Sequence, residues 1–459
     1  MKNDSRRQVL LNRDLGNYDP RQWKANIPFR AYNFRIEDVV PALSGAIGKV
    51  SLVAAFAMAW AAGLEIIDPA FVTENVRLEI IIASLFTLIF SAFFNPAVGP
   101  PGTLAPLIPI IPIMISAGVH PLPFSILIGA IGLIISLLGY FSNIVKINGT
   151  GTKGGILLLF GVMGIISSLD KLRVWTDGSH HENLLFVLLS LGIVVYVVLS
   201  RLNAKWLIIP ACAVLALLVS FLFGLYPLFE TKAALPIINP DYWWNVKWGI
   251  GYGLTVENFL VAVPFAMLVI AMWPIDALAV KTIQETNYPN TAKRAVLDLN
   301  ATFIIISLRN TIGSILGGGQ IAAVWRSFMI PLAIVKRPIG GSAFLLAIFG
   351  ICFALLGFPI DISTFPPLVW LVLIFGVFIP LIEIGLNTLR SMASIQIAVI
   401  CLILGIGLNP VLGWSFALLI ENFKLIGDKN DTRVIDLRDK ITTLIIFVIS
   451  IVSYSFIIL

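Results

Sequence analysis

A few charged side chains interrupt long apolar runs of this sequence. Arg326 lies in GGGQIAAVWRSFMIPLAI, Asp276 in AMWPIDALAV and Lys49 in SGAIGKVSLVAAFAMAW. A guanidinium within a membrane costs about 2.5–3.5 kcal/mol on insertion scales unless it is paired or faces water. We therefore interpret Arg326 as a ligand for a bound anion, with Ser327 and neighbouring backbone N–H groups as further donors. The alternative is an internal salt bridge that only holds helices together.

Asp276 follows Pro274, which frees a backbone carbonyl one turn earlier. A carboxylate beside freed carbonyls could bind Na⁺ or carry a proton, and it could equally be the ion-pair partner of Arg326. Lys49 is a further candidate for the same cavity. It lies early in its apolar run, so its side chain could instead extend to the cytoplasmic surface.

Other charged and aromatic residues are assigned plainer roles. We interpret Arg309, in TFIIISLRNTIGS, as structural, and Glu383 and Glu421 as solvated at cytoplasmic helix ends. Trp273 and Trp325 adjoin Asp276 and Arg326 in sequence, so they are candidate pocket walls, with core packing as the alternative. We expect Trp243, Trp244 and Trp248 to form a belt at the membrane interface beside an outer loop. An external lid is the alternative.

The composition places these residues in a membrane protein. Of 459 residues, 58% are apolar and 12% are charged, against about 25% charged in soluble domains, and the mean hydropathy is +0.95. A water-soluble enzyme is excluded. We find no nucleophile–base pair and no metal-ligand spacing, so we expect no enzyme and no cofactor beyond Na⁺ or H⁺ as a coupling ion. The net charge of +6 is spread over short loops, which favours a topology signal over a nucleic-acid partner.

The apolar runs predict two sets of seven spans and one extra helix. The predicted spans are 40–63, 78–94, 103–118, 122–141, 154–169, 183–200 and 206–224, then 255–280, 299–316, 321–335, 341–358, 366–386, 391–407 and 411–425, then 441–459. The predicted domains are a cytoplasmic arm 1–38, a first repeat 39–225, an outer loop 226–254, a second repeat 255–425, a cytoplasmic loop 426–440 and a C-terminal helix 441–459.

The basic residues orient these spans. With a cytoplasmic N-terminus, only five of the 31 lysines and arginines fall in outside segments, Arg77 among them. We therefore expect an integral protein of a bacterial inner (plasma) membrane. Because each set has an odd number of spans, the two sets have opposite orientations, as in inverted-repeat transporters.

Each set contains a break, of glycine and proline in the first set and of three glycines in the second. Residues 99–102 (GPPG) and 317–319 (GGG) each begin about 60 residues into their set. The helix after each break, span 3 or span 10, is too short to cross about 30 Å of hydrocarbon and is predicted to be a half-helix. Non-helical backbone at this depth occurs only within protein or beside a wet cavity. Two positive helix N-termini would then converge on one anion site that includes Gly102, Thr103 and Leu104. Tight turns between ordinary spans are the alternative.

Three segments resemble one family of membrane proteins. IEDVVPALSGAIGKVSLVAAFAMAWAAGL, GPPGTLAPLIPII and NTIGSILGGGQIAAVWRSFMIPLAIVKRPIGGSAF resemble the first, third and tenth spans of sulfate-permease (SulP) anion transporters. Nucleobase and ascorbate transporters and bicarbonate exchangers are similar in architecture. The resemblance implies an all-α fold of two inverted seven-span repeats, with a core domain of spans 1–4 and 8–11 and a gate domain of spans 5–7 and 12–14. It also implies an elevator-like motion and a homodimer.

The resemblance assigns roles to particular residues. Arg326 would match the family's anion-site arginine, and Asp276 the eighth-span acidic position that couples a cation in some members. The backbone around the site would be supplied by Gly319, Gln320, Ile321 and Ala322. Nucleobase transporters have a glutamate in the tenth-span half-helix, whereas the corresponding region of this chain contains Arg326, so an anion is preferred to a neutral base.

These observations predict a secondary active transporter of a small anion of the sulfate, bicarbonate or carboxylate class, coupled to a cation or working by exchange. Proton-coupled uptake of a nucleobase-like solute, with Asp276 as the main hydrogen-bonding residue, is the first alternative. An anion channel or a non-transporting scaffold is the second. The expected partners are the small anion, the lipid bilayer and a second copy of the chain.

Overall fold

The computed structural model of the chain describes residues 6–179, 181, 183–202, 204–226, 233–357, 365–427 and 433–458. Their α-helices, in chain order, are α1 (Arg6–Gly16), α2 (Val39–Gly63), α3 (Phe71–Phe86), α4 (Ile111–Ser116), α5 (Pro121–Leu137), α6 (Phe141–Ile147), α7 (Thr150–Gly178), α8 (Leu184–Arg201), α9 (Ile208–Leu222), α10 (Val256–Asn287), α11 (Leu299–Ile315), α12 (Arg326–Ile334), α13 (Ile339–Leu356), α14 (Pro367–Leu373), α15 (Ile379–Thr388), α16 (Met392–Gly407), α17 (Pro410–Asn422) and α18 (Leu437–Ile458).

The protein is an all-α integral membrane protein. Within the described residues, nine helical segments are long and apolar enough to cross a membrane, and three further apolar helices are shorter. These residues contain no β-strand, only two isolated bridges. The predicted all-α class is confirmed.

The helices repeat in the same order in the two halves of the chain. The first half consists of α2, α3, α4, α5, α7, α8 and α9. Their counterparts in the second half, in the same order, are α10, α11, α12, α13, the pair α14–α15, α16 and α17. The third helix of each half is short. Helices α2–α5 and α10–α13 pack together as one group, called the core here. Helices α7–α9 and α14–α17 form the second group, the gate. The groups meet where α2 lies against α9 and α14.

The start of α3 differs from the prediction. The helix begins at Phe71, seven residues before the predicted span 78–94. Arg77, expected in an outside segment, is buried within α3 and donates to the carbonyl oxygen of Ala354 at 2.9 Å. Glu79 is fully buried too. The prediction failed because polar residues that are paired inside the protein were taken to mark a loop.

The outer loop packs on the core instead of lying in a membrane interface. Its three tryptophans are at most 3% exposed, so the expected belt is wrong: Trp243, Trp244 and Trp248. The indole N–H of Trp244 donates to the carbonyl oxygen of Ser314 at 3.0 Å, and that of Trp248 donates to the carbonyl oxygen of Gly317 at 2.9 Å. The indoles are buried because they cover the C-terminal end of α11 and satisfy its free carbonyls.

An ion-pair cluster ties this loop to the connection between α2 and α3. The Lys247 ammonium lies 2.6 Å from a carboxylate oxygen of Asp68 and 2.7 Å from one of Glu74. The hydrogen bond from Lys247 holds the pKa of Asp68 below its ordinary value of 3.8. Ionised Asp68 therefore stabilises the folded state fully when the pH is above its ordinary pKa of 3.8. This stabilisation is lost as the pH falls through the lowered pKa of the folded state.

Glu421 is buried, although it was expected to be solvated. It lies in α17 and is 6% exposed. Its carboxylate accepts the backbone N–H groups of Gly151 at 2.9 Å and Thr152 at 2.8 Å, in the first turn of α7. Arg433, which precedes α18, lies 3.3 Å from the same carboxylate. A buried negative charge is stabilised here because helix N-termini have free N–H donors and partial positive charge.

We expect Glu421→Gln to lower the thermal stability of the gate. The change keeps the shape but removes the charge from hydrogen bonds worth about 1.5–3 kcal/mol each to a charged group, so the unfolding temperature in detergent should fall by several degrees. Asp170→Asn, at an exposed carboxylate of α7, the helix whose first turn Glu421 contacts, is the matched control and should leave the unfolding temperature unchanged. Equal unfolding temperatures for the two variants would contradict this role.

Candidate functional site

The two glycine-containing breaks pair with each other in the centre of the core. Residues 100–104 and 321–325 run antiparallel, with a bridge between Pro101 and Val324. The N–H of Gly102 donates to the carbonyl oxygen of Ala323 at 2.7 Å, and that of Leu104 donates to the carbonyl oxygen of Ile321 at 2.8 Å. Since unpaired backbone groups are costly at membrane depth, each extended segment supplies the partners that the other needs. The spacing of the breaks predicted that the two would lie together, and the structure has them in contact.

A short helix follows each paired segment. The first starts as a 3₁₀ turn, Ala105–Ile110, which continues into α4, because Pro106 and Pro109 cannot donate the bonds of an α-helix. The second is α12, which begins at Arg326. The predicted span 321–335 made residues 321–325 helical, but they are extended, and Arg326 is the first residue of the helix. The prediction missed the extended pairing because apolar runs do not distinguish strand from helix at this length.

A cavity of about 220 Å³ lies between the core and the gate. The N-terminal ends of both half-helices line it, through Thr103 and Pro106 on one and Arg326 and Ser327 on the other. The cavity extends along α12 as far as Ile334, the last residue of that helix. The gate lines the opposite wall with residues that include Lys205, Ile209, Gly376 and Glu383. The cavity therefore extends toward the end of the molecule at which α12 and α15 end and α9 begins.

Arg326 and Asp276 form an ion pair at the wall of this cavity. The Arg326 Nη1 atom lies 3.0 Å from Oδ1 of Asp276, and the two side chains are 20% and 11% exposed. The hydroxyl oxygen of Ser327, next to them, is buried and has no hydrogen-bond partner among the residues that the structure describes. The pair links α10 to α12 and leaves guanidinium N–H groups and one hydroxyl available to a bound anion.

Lys49 lies behind the cavity wall and not at the membrane surface. Its side chain is 1% exposed. The ammonium donates to the carbonyl oxygen of Gly102 at 2.8 Å, to Oγ1 of Thr103 at 3.0 Å and to Oε1 of Gln320 at 3.1 Å. It also lies 5.1 Å from the ring centroid of Trp325. One side chain from α2 therefore bonds to residues of both breaks.

A second ion pair holds the backbone of the second break. Glu79 from α3 and Arg309 from α11 form a fully buried pair. Glu79 accepts the N–H of Gln320 at 3.0 Å, and Arg309 Nη1 donates to the carbonyl oxygen of Gln320 at 3.2 Å. Arg309 therefore has the structural role that the sequence predicted. The prediction from sequence missed Glu79, whose signal was a carboxylate without an assigned role at the second position of the predicted span 78–94.

The remaining predicted site residues divide into two groups. Trp325 lines the cavity and donates its indole N–H to the carbonyl oxygen of Gly45 at 3.1 Å. Trp273 does not line the cavity but stacks on Phe303 within the core. The other predicted residues in and next to the paired segments are buried and do not line the cavity: Gly102, Leu104, Gly319, Gln320, Ile321 and Ala322.

Solved structures of anion transporters have a similar fold. The chain resembles murine Solute Carrier 26 family member A9, described as an anion transporter in the inward-facing state, with a TM-score of 0.55 and 14% identity over 87% of this chain and 70% of that one. It resembles the transmembrane domain of the cyanobacterium bicarbonate transporter BicA with a TM-score of 0.55 and 16% identity over 86% of this chain and 100% of that one. The structure therefore has the SulP/SLC26 transporter fold, as the sequence resemblance implied.

The family of the chain follows from its sequence. Residues 2–458 match the family described as Protein of unknown function (DUF3360), and the chain belongs to that family. No curated protein matches it.

We expect Gly102→Ala to destabilise the paired segments. A Cβ atom at Gly102 would collide with Cα of Trp325, and relief of such overpacking costs about 1–3 kcal/mol. Thermal unfolding in detergent is the measurement, and the variant should unfold several degrees below the wild type. The control is Gly178→Ala, whose added Cβ meets nothing within 4 Å. If both variants unfold at the wild-type temperature, the two breaks are not in close contact.

Proposed function

We propose that this protein is a secondary active transporter of a small anion of the sulfate, bicarbonate or carboxylate class. One observation carries the proposal: the guanidinium of Arg326, at the first residue of α12, is partly exposed to a cavity that both half-helix N-termini line. A guanidinium, a hydroxyl and helix N-termini are donors that suit an anion. The fold, shared with proteins described as an anion transporter and a bicarbonate transporter, supports the same class.

The ion pair in the cavity offers a route for cation coupling. An anion that takes guanidinium N–H groups of Arg326 weakens the bond between Arg326 and Asp276. The Asp276 carboxylate then gains affinity for Na⁺ or a proton, because a carboxylate away from water requires a compensating charge. Binding of the anion and of the cation would in this way favour each other, which is the thermodynamic requirement for symport. Exchange of one anion for another needs no such step.

The arrangement of the two helix groups supports an elevator-like motion. The substrate-binding candidates Arg326, Ser327 and Thr103 belong to the core, whereas Lys205 and Glu383 on the opposite wall belong to the gate and pair with each other at 2.8 Å. Movement of the core along the gate would carry the complete site across the membrane. With the N-terminal arm in the cytoplasm, the cavity would extend toward the cytoplasmic side.

The proposal includes a homodimer in a bacterial inner membrane, with a cytoplasmic N-terminus. Chemical cross-linking in native membranes and light scattering in detergent measure the oligomeric state, and a monomer in both would remove the dimer from the proposal. Labelling of single cysteines placed in the N-terminal arm measures its side of the membrane.

We expect Arg326→Ala to lower anion transport strongly. Loss of a charge-assisted hydrogen-bond donor to an anion costs about 1.5–3 kcal/mol, so uptake should fall about tenfold or more. The measurement is uptake of labelled sulfate, bicarbonate and formate into proteoliposomes that contain the full chain. Arg201→Ala, at an exposed arginine of α8, is the control and should transport as the wild type does.

Three outcomes would change the proposal, two from this uptake experiment and one from electrical recording. Equal anion uptake by Arg326→Ala and the wild type would remove Arg326 from the site. Uptake of an uncharged nucleobase by the wild type, without anion uptake, would replace an anion carrier with a proton-coupled carrier of a neutral ring. Single-channel currents carried by the anion would indicate a channel.

We expect Asp276→Asn to uncouple the anion from its cation. An amide cannot bind Na⁺ through a charge and cannot exchange a proton in this pH range, so any stimulation of wild-type uptake by a sodium or proton gradient should disappear. The measurement is the ratio of uptake with and without each gradient. Asp170→Asn should keep the wild-type ratio. A gradient effect that persists in Asp276→Asn would place the coupling site elsewhere.

A further inference from the structure

A short segment of the N-terminal arm, residues 21–30, is fixed to the end of a membrane span. That span consists of α3 and a π-helical continuation, and its last residue is Phe94. The N–H of Lys24 donates to the carbonyl oxygen of Phe94 at 3.1 Å. The N–H of Asn26 donates to the carbonyl oxygen of Phe93 at 2.8 Å. Because an apolar span ends where the hydrocarbon ends, residues 21–30 lie at the level of the lipid headgroups.

One buried side chain, Asn26, shapes this segment. It is 1% exposed. Its amide nitrogen donates to the carbonyl oxygens of Arg21 at 2.7 Å, Lys24 at 2.8 Å and Phe93 at 3.0 Å. Its amide oxygen accepts the N–H of Arg21 at 2.9 Å. A carbonyl only accepts and an N–H only donates, so these partners fix the orientation of the amide. The segment is therefore a defined turn that is held against the span.

The turn presents three large apolar side chains on its outside. Trp23, Ile27 and Phe29 are 49%, 54% and 78% exposed. Trp23 and Phe29 have φ angles of 56° and 65°, in the left-handed region that bulky residues rarely adopt. Such strain persists only where the surrounding structure imposes it, and it is concentrated at functional sites. Exposed aromatic rings at the end of a span are typical of contact with lipid headgroups.

The same segment has three basic side chains and no acidic one. Arg21, Lys24 and Arg30 are exposed. None of the three forms an ion pair with the part of the chain that the structure describes, whereas Arg35, further along the arm, pairs with Asp14. Positive charges interleaved with apolar side chains at this depth are complementary to a negatively charged layer of headgroups.

We propose that residues 21–30 are a docking surface for acidic phospholipids in the leaflet at which the span of α3 ends. The lipid phosphates bind to the three basic side chains, and Trp23, Ile27 and Phe29 insert between the headgroups. The inference goes beyond the proposed function and does not depend on it. Since the segment is bonded to the span of α3, which belongs to the core, a lipid bound here is bound to the core.

Phosphatidylglycerol and phosphatidylcholine with the same acyl chains test this inference, because they differ in net charge. Their binding to the full chain in detergent is measured by native mass spectrometry. We expect the wild type to bind the acidic lipid about tenfold more tightly. This preference should shrink when ammonium acetate is raised from about 50 mM to about 500 mM, since salt screens exposed charges. Equal binding of the two lipids at low salt would overturn the inference.

A triple variant removes the charges of the turn and keeps its apolar side chains. With Arg21→Gln, Lys24→Gln and Arg30→Gln together, the preference for phosphatidylglycerol should fall to about onefold. The matched control is Arg201→Gln, at an exposed arginine that ends α8, which should keep the wild-type preference. A triple variant that also keeps it would place the acidic lipid elsewhere and overturn the inference.

The ring of Phe29 is tested separately from the charges. Phe29→Ala should weaken the binding of both lipids several-fold and keep their ratio, because a ring inserts between headgroups of either charge. Phe186→Ala, at a phenylalanine of α8 that is 72% exposed, is the control and should bind both lipids as the wild type does. Unchanged binding of both lipids by Phe29→Ala would contradict the insertion of this ring.

A fluorescent label locates the turn without loss of any charge or ring. Ala25, exposed in the turn, is replaced by Ala25→Cys in a Cys352→Ser background, since the other two cysteines are buried. In proteoliposomes, a nitroxide on the lipid headgroup should quench this label about twofold or more. Absence of quenching would show that the turn lies away from the headgroups and would overturn the inference.

The same triple variant distinguishes a lipid from a second copy of the chain as the occupant of this surface. Docking of lipid predicts that chemical cross-linking between copies is the same in the variant and in the wild type. Loss of cross-linking in the variant, with the lipid preference unchanged, would assign the surface to contact between copies and overturn the inference.

Discussion

The antiparallel pairing of residues 100–104 with 321–325 is the contact on which the rest of the core depends. Pro100, Pro101 and Gly102 keep the first segment from forming a helix, and three glycines, residues 317–319, precede the second. At this depth there is no water to satisfy the backbone groups of either segment. Each segment therefore requires the other. The pairing fixes where both half-helices begin, and so it determines that Arg326 stands at the first turn of α12 beside the cavity.

The polar side chains of the core reinforce that pairing from several helices. Lys49 bonds to residues of both breaks, and the pair of Glu79 and Arg309 holds the backbone of Gln320 on two sides. These contacts join helices from the two repeats. Buried ion pairs contribute little net stability because desolvation offsets their attraction. Here they have the different effect of fixing one backbone arrangement among those that flexible glycines would permit.

The sequence was most informative where a residue type conflicts with its surroundings. Arginine and aspartate in apolar runs pointed to Arg326 and Asp276, which lie together at the cavity wall. The sequence was misleading where a polar residue finds its hydrogen-bond partner in a distant part of the chain. Glu421 and the tryptophans of the outer loop resembled surface residues, but helix ends distant in sequence supply their hydrogen-bond partners. The predicted span boundaries failed at α3 for the same reason.

The sequence by itself determined the membrane environment, the number and order of the repeats, the two breaks and the presence of charge among apolar residues. These follow from local composition, because insertion into lipid depends on each segment separately. Only the tertiary structure decided which charges are neighbours. Lys49 and Gln320 are 271 positions apart, and whether a buried charge is balanced depends on contacts of this kind. Charge balance is a property of the folded core, since the electrostatic interaction acts through space and not along the chain.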